Sequence, residues 1–323
     1  MQLSRRDLLG LSLKLAATAS APCWLNACAK QEPAVRVATN VWPGYEFLHA
    51  AEATGQFREA PVSMLAMPSA TACLQALASG NAEAAALTLD ELLTARVDNM
   101  PLTVVTVLDL SVGGDVVLAR PGITTPADLK GQRIGVEQSA VGAVMLHALL
   151  AEAQLSQSDV TIVYATVDEH VARFQAGDVD ALVTFQPVPS QLREDEAHLI
   201  YDSSRIPGQI MDVLAVRPEV LARSPNALKT LVKGHFTLLE QWKKQPGALS
   251  TLLAGRLGVA PESVSAAYEG LELPDAIKNR YWLSGTPTPL DQAAEALMQT
   301  MLGAGLLPKS TSLAQLSDHR FLP

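Results

Sequence analysis

The chain has 323 residues, 48% of them hydrophobic and 18% charged, enough for a globular protein of about two ordinary domains. Its formal net charge is −9 and no run of Lys and Arg interrupts that balance, which speaks against a nucleic-acid partner. Aromatic residues make up only 5% while Ala and Leu abound, a composition that leans toward helix-rich α/β.

Residues 1–28 read as a leader apart from the folded body. "MQLSRRDLLGLSLKLAATASAPCWLNAC" has a basic start at Arg5 and Arg6, an apolar middle and small residues near its end. That is a secretory pattern, too short and too interrupted for a membrane span. Ser4 to Leu9 resembles the twin-arginine export motif, and Leu25-Asn26-Ala27-Cys28 resembles a lipobox, which would make Cys28 the lipid-modified N-terminus. Cys23 is a weaker second candidate, and an ordinary signal with an incidental cysteine is the alternative. Cys73 is then the single cysteine of the body, so no internal disulfide is expected, and no Cys/His spacing suits a metal. It sits in "SATACLQALASG", where a small buried residue is expected.

The body opens with "VRVAT" (35–39), an apolar run rich in β-branched residues and hence a buried strand. A Pro-Gly break follows, then a helix from about Glu46. "VSMLAM" (62–67) is a second strand. The helix after it has Ser69 as N-cap and Gly80 as stop, and "EAAALT" (83–88) is a third strand. A shift of 97 residues lays this unit on a second one: Arg36 falls on Arg133, Leu65 on Ile162, Leu77 on Phe174, Gly80 on Gly177 and Ala84 on Ala181. The register runs without a gap until the last strand, where the second copy reads one residue shorter. Its elements are "RIGVE" (133–137), a helix from about Val141, "VTIVYA" (160–165), the helix "DEHVARFQAG" and "ALVTF" (181–185).

Strand–helix–strand–helix–strand predicts parallel pairing with right-handed crossovers. The runs 103–108 and 115–119 are expected to cross between the two units, and "MDVLAVR" (211–217), which resembles "DVVLAR", to return the chain. From Pro218 the pattern is amphipathic helix. The expected division is a leader at 1–28, one lobe at 34–115, a second at 116–208, and a return strand with C-terminal helices at 209–323 completing the first. Ligands of parallel α/β sheets sit beyond the carboxyl ends of strands, so two such lobes predict a cleft that closes on a hinge.

"NVWPGYE", "SGNAEAAALTLDE", "ADLKGQRIGVEQSA", "FQAGDVDALVTFQP" and "MDVLAVRPEV" together resemble the substrate-binding proteins of bacterial ABC importers, in the nitrate/sulfonate/taurine and thiamine-precursor (NMT1/THI5-like) group. The resemblance spans Val35 to about Val220. It implies a two-lobed type II periplasmic-binding-protein fold, each lobe a helix-flanked, mostly parallel sheet. It also implies a periplasmic monomer that captures a small molecule for an ABC permease, held at the membrane by its lipid anchor, with no cofactor and no metal. A sensor subunit for a membrane receptor and an enzyme on the same fold, pyrimidine-synthase-like or dehydratase-like, are the alternatives. Against the enzyme stand the single body cysteine and the lack of GxSxG, HExxH or P-loop spacing.

Strand-end loops supply the candidate ligand contacts: Asn40, Trp42 and Tyr45; Ser69; Thr88 and Asp90; Gln138, Ser139 and Val141; Thr184, Phe185 and Gln186; and Asp212. By the resemblance, Trp42, Tyr45, Thr88, Ser139 and Gln186 fall in loops where the family contacts ligand. Simpler roles compete. Trp42 and Tyr45 could staple the first helix to its sheet. Glu91 is expected to cap its helix, Asp168 likewise, and His170 to sit solvated on an exposed face. Of Asp115 and Asp212, which open matching strands, one is expected to be structural and one to face the cleft. The set holds aromatic rings, amides, hydroxyls and carboxylates but no Lys or Arg. A neutral or cationic organic solute therefore suits it better than nitrate, with an aliphatic sulfonate still open.

Overall fold

The computed structural model describes residues 32–193 and 195–323, so the leader and its Cys28 lie outside the described residues. The three-strand units form as expected. In the first, β1 (Val35–Thr39) pairs in parallel with β2 (Val62–Ala66) and with β3 (Ala84–Thr88). Three helices accompany it: α1 (Glu46–Ala53), α2 (Ala70–Ala78) and α3 (Leu89–Val97). The chain then runs through β4 (Thr103–Ser111) into β5 (Asp115–Ala119), which belongs to the other sheet.

The second unit consists of β6 (Arg133–Val136), α4 (Ala140–Glu152), β7 (Thr161–Tyr164), α5 (Val167–Ala176) and β8 (Ala181–Phe185). A short α6 (Val188–Gln191) leads to β9 (His198–Asp202), an edge strand the sequence reading did not contain. The chain returns through β10 (Met211–Val216). The final sheet orders are β11-β4-β10-β3-β1-β2 and β7-β6-β8-β5-β9, β11 being the two-residue strand Leu271–Glu272. Parallel pairing holds inside each repeated unit. The crossing strands pair antiparallel with β3, β4, β8 and β9, so each whole sheet is mixed rather than mostly parallel.

The strand registers correct the expected alignment of the halves in detail. Ala38 pairs with Leu65 and Gly135 with Val163, so the second strand is displaced by 98 residues. Ala38 pairs with Ala85 and Gly135 with Leu182, so the last strand keeps the offset of 97 and both copies have five residues. The extra length enters by the end of α4, where the helix ends Ala53 and Glu152 are 99 residues apart, and not in the final strand. One contact is reproduced atom for atom. Arg36 donates from its backbone N–H and its guanidinium to Glu83, at 2.8 and 2.7–3.0 Å; Arg133 does the same to Asp180, at 2.9 and 2.7–2.9 Å.

The remaining helices pack onto the first sheet and its edges: α7 (Pro218–Arg223), α8 (Pro225–Lys244), α9 (Ser250–Leu257), α10 (Ala276–Leu283) and α11 (Pro289–Gly303). α8 buries Leu228, Leu231, Val232, His235, Leu239 and Trp242, an i, i+3, i+4 stripe that seats it against α1. Phe47 of α1 meets Trp242 and Tyr268 there, at centroid distances of 6.2 and 5.4 Å. The C-terminal segment is tied down by Arg96, whose guanidinium donates to the carbonyls of Ser312 and Ala314. No described helix is long and apolar enough to cross a membrane.

Candidate ligand-binding cleft

The ends of β1, β3 and β6 and the starts of β5 and β10 converge on one cavity between the sheets. β10 runs antiparallel to β3, which sets Asp212 beside Thr88; β5 runs antiparallel to β8, which sets Asp115 beside Phe185. The two aspartates are thus 97 residues apart in sequence and equivalent in position. Both line the cavity, correcting the expectation that only one would.

From the first lobe the wall takes Asn40, Trp42, Tyr45, Ala70, Thr88 and Glu91, together with Asp212 and the adjacent Ile210. From the second it takes Asp115, Glu137, Val141 and Phe185. Among the described residues no Lys, Arg, His or Cys belongs to it. The space enclosed is about 20 Å3, room for about one water. The lobes are therefore shut, and an organic solute needs them to part. Trp42 and Phe185 meet across the gap edge-to-face at 5.3 Å, and the Thr71 hydroxyl donates to the Gln138 carbonyl at 3.2 Å.

Local sequence explains each placement. Pro43–Tyr45 forms a single 3-10 turn after β1, which turns Trp42 and Tyr45 inward. The indole N–H of Trp42 donates to both oxygens of Asp109, at 3.0 and 3.2 Å, and the Tyr45 hydroxyl donates to Asp212. Gly44 allows this approach: a Cβ there would lie 1.7 Å from Asp109 Oδ2. The indole rests in turn over Gly114, where a Cβ would come within 3.3 Å of it. Thr88 is both the last residue of β3 and the N-cap of α3, and its N–H donates to Glu91 Oε2 at 3.0 Å. Glu91 is the expected cap, yet its other oxygen has no partner and the residue lines the cavity.

Charge is concentrated here without compensation. Asp109 and Asp212 are cross-strand partners, an arrangement that is destabilising for like charges. Burial pushes the Asp109 carboxyl up to about 7, with Asp115 adding repulsion. Burial, then repulsion from Asp109, drives Asp212 well above the carboxylate range. Burial lifts Asp115 to about 6 and raises Glu137 too. Glu91 is driven well up by burial and by neighbouring Asp90. One oxygen each of Glu91, Asp115, Glu137 and Asp212 is buried with no hydrogen-bond partner.

Seven of the thirteen sequence candidates form the wall: Asn40, Trp42, Tyr45, Thr88, Val141, Phe185 and Asp212. The other six lie elsewhere. Ser69 and Ser139 spend their hydroxyls capping α2 and α4, accepting from the N–H of Ala72 and Gly142. Gln138 and Ser139 line a neighbouring recess of about 170 Å3 with Tyr164 and Leu306, which shares Glu137 with the cavity. Thr184 bonds His170 Nδ1 at 2.9 Å, and the Gln186 side chain accepts from Ser190. Asp90 is fully buried behind the wall.

His170 is not solvated as expected: it shares the buried face of α5 with Phe174, and burial lowers its pKa to about 4, keeping it neutral. The cap of α5 is Thr166 with Glu169, and Asp168 is merely exposed in the first turn. Cys73 is buried as expected, its thiol pushed up to about 12 by burial. Glu91, Asp115 and Glu137 were missing from the set. Asp115 carried a usable signal, since "DVVLA" matches "DVLAV"; Glu137 carried only its place one residue past a strand end.

Comparison with known proteins agrees with this geometry. The chain is 26% identical over 281 residues to the taurine-binding periplasmic protein of Escherichia coli, covering 83% of each. Among solved structures, the alkanesulfonate-binding protein SsuA of Xanthomonas axonopodis, bound to MOPS, superposes with a TM-score of 0.75 at 19% identity, over 89% of this chain and 99% of that one. The periplasmic nitrate-binding protein NrtA of Synechocystis superposes with a TM-score of 0.70 at 15% identity, over 90% and 88%. The family model described as "NMT1/THI5 like" matches residues 42–237, a stretch that contains the second repeated unit, the first apart from β1, and all of the cavity wall but Asn40. The chain belongs to the NMT1/THI5-like family, as a solute-binding protein of the kind that serves ABC importers.

Proposed function

We propose that the protein captures a small organic solute, neutral or cationic in its polar groups, between the two lobes and delivers it to an importer's permease. The observation that carries this reading is the wall itself: four buried carboxylates with free oxygens, three aromatic rings and no basic residue. A sulfonate, the ligand class named for the relatives, would bring a further negative charge to that wall. Each buried unpaired charge is already expensive, so an anion is disfavoured unless the carboxyls are protonated. Contacts made by both lobes favour the closed state, which links binding to closure.

The reading is of capture without turnover, in keeping with the binding proteins that the chain resembles. A monomer tethered in the periplasm through a lipidated Cys28, after twin-arginine export, completes the proposal; mass spectrometry of the mature N-terminus tests it. A thermal-shift screen of sulfonates, pyrimidines, amines and amino acids identifies the solute, because a tight ligand raises the melting temperature by mass action. Consumption of the compound would favour an enzyme. With the solute in hand, Trp42→Phe and Phe185→Leu are expected to weaken binding by about 1–2 kcal/mol each while remaining folded. Unchanged affinity in both variants would move the site out of the cleft.

A further inference from the structure

Among all the cavities and side-chain clusters, the carboxylates of the cleft stand out because their free oxygens come from opposite sides of one small space. Glu91 and Asp212 come from the first sheet and its helix, Asp115 and Glu137 from the second sheet. All four are at least nine-tenths buried, and each keeps an oxygen that no protein donor reaches. Several donors are already used: the Trp42 N–H serves Asp109, the Tyr45 hydroxyl serves Asp212, and the Thr88 N–H serves the other oxygen of Glu91, which leaves the Thr88 hydroxyl and the Asn40 amide as the wall's unspent neutral donors. Buried acceptors without donors are rare in native proteins and mark a place where a ligand or proton completes the bonding.

Resting on the cleft as the binding site, we propose that the solute is a small organic cation bearing N–H donors and no acidic group: a primary ammonium, guanidinium or amidinium. Such a group supplies several donors at once and neutralises charge on both lobes, so the same contacts that bind it also draw the lobes together. The aromatic faces of Trp42, Tyr45 and Phe185 accept its positive edge and its apolar stem. A sulfonate or nitrate offers only acceptors to a wall whose unpaired groups are mostly carboxyl oxygens, with the Thr88 hydroxyl and the Asn40 amide as its few neutral donors. A zwitterion such as taurine satisfies one half of the wall and strands its sulfonate against the other.

Protons and the cation compete for the same oxygens. The groups facing the four carboxylates are themselves acidic: Asp109 and Asp115 act on Asp212, Asp90 and Glu137 on Glu91, and Asp168 on Glu137. In the empty cleft these groups hold protons to unusually high pH. A cation favours their ionised forms, so binding releases protons and tightens as pH rises toward these raised pKa values.

Isothermal titration calorimetry with putrescine, agmatine and benzamidine as cations, and taurine, nitrate and glycerol as controls, tests this in the mature protein. The expected result is saturable binding of at least one cation, at least about tenfold tighter than taurine, with proton release read from buffers of different ionisation heat. Glu137→Gln and Glu91→Gln should each weaken the cation by about tenfold or more while the empty protein melts no lower, since each removes a buried unpaired carboxylate. Tighter binding of taurine or nitrate, or a cation bound without proton release, overturns the assignment, as does failure of all three cations at millimolar concentration. If a control binds instead and Trp42→Phe weakens it, the cleft stands and only the ligand class falls. If Trp42→Phe and Phe185→Leu leave every bound compound unaffected, the cleft reading itself fails.

Discussion

Arg36 clasps Glu83 at the foot of the first sheet, and Arg133 clasps Asp180 at the foot of the second, with the same three donors and nearly the same distances. At the opposite ends of the same strands the offset of 97 puts Glu137 opposite Asn40, Ser139 opposite Trp42, Val141 opposite Gly44, and Phe185 opposite Thr88. Only the aspartates that open the crossing strands, Asp115 and Asp212, stay alike. The foot of each lobe has a structural task, to close a parallel register, and one solution serves twice. On the proposed reading the top meets a solute, which would present different groups to the two sides and let the copies diverge there. The first lobe brings the indole and the buried Asp109–Asp212 pair; the second brings the carboxyls of Asp115 and Glu137 and a phenyl ring.

The sharpest way to break this contrast is at the paired positions 44 and 141. Gly44→Ala drives a Cβ into Asp109, which a well-packed wall cannot yield to freely. The expected loss is about 1–3 kcal/mol of stability together with loss of measurable solute binding. Its counterpart Val141 already carries a side chain, so Val141→Ala should lower affinity by only about 1 kcal/mol. Urea unfolding and calorimetry on both variants decide, and equal effects would mean that the tops of the lobes are not specialised.

Acid–base behaviour should separate the two ends next. Asp109 and Asp115 have folded pKa values of about 7 and 6, above their ordinary value of about 4, so the native state holds the extra protons. Their contribution makes the empty protein less stable as pH rises from about 4 to about 7, and is constant above. The clasp acids behave in the opposite sense. Bonds from Arg133 hold Asp180 low; for Glu83 burial pulls upward but the bonds from Arg36 outweigh it. Their contribution is present above about pH 4 and is lost as pH falls through their depressed pKa values. Unfolding free energies measured across this range on wild type and Asp109→Asn sharpen the division: the variant should lose part of the decline between about pH 4 and 7. A variant with the wild-type slope would show that Asp109 is not holding a proton.

The smallest effect is expected at the clasps. Arg36→Ala and Arg133→Ala remove half-exposed ion pairs that solvent screens, so each should lower the melting temperature slightly and to a similar degree. Solute affinity should stay at the wild-type value in both, since neither residue reaches the cavity. A large loss of binding in either one would couple foot and top in a way the fold does not suggest.

Much of this was written in the sequence. Strands of β-branched and small apolar residues, the glycine stop at Gly80 with its counterpart Gly177, and the serine cap at Ser69 are local signals, and local structure follows them. The constant offset between the halves predicted two lobes and a cleft, and strand-end position was enough to place Trp42, Tyr45, Val141 and Phe185 at the cavity they line. What it could not rank were polar residues at the same loops, because a hydroxyl or carboxylate near a helix start has two uses. Ser69 and Ser139 turned to their own helices, while Glu91 caps and faces the cavity at once.

His170 and the edge strand β9 were misread or missed because burial of a polar face and pairing of a short strand depend on neighbours far along the chain. Glu137 and Asp115 joined Glu91 and Asp212 only when two sheets met, and no protein donor reaches their unpaired oxygens there. Sequence fixes which groups stand at strand ends, since periodicity and capping act over a few residues. Which of those groups share one dry space, and how strongly their charges oppose one another, depends on distances set by packing between segments a hundred residues apart.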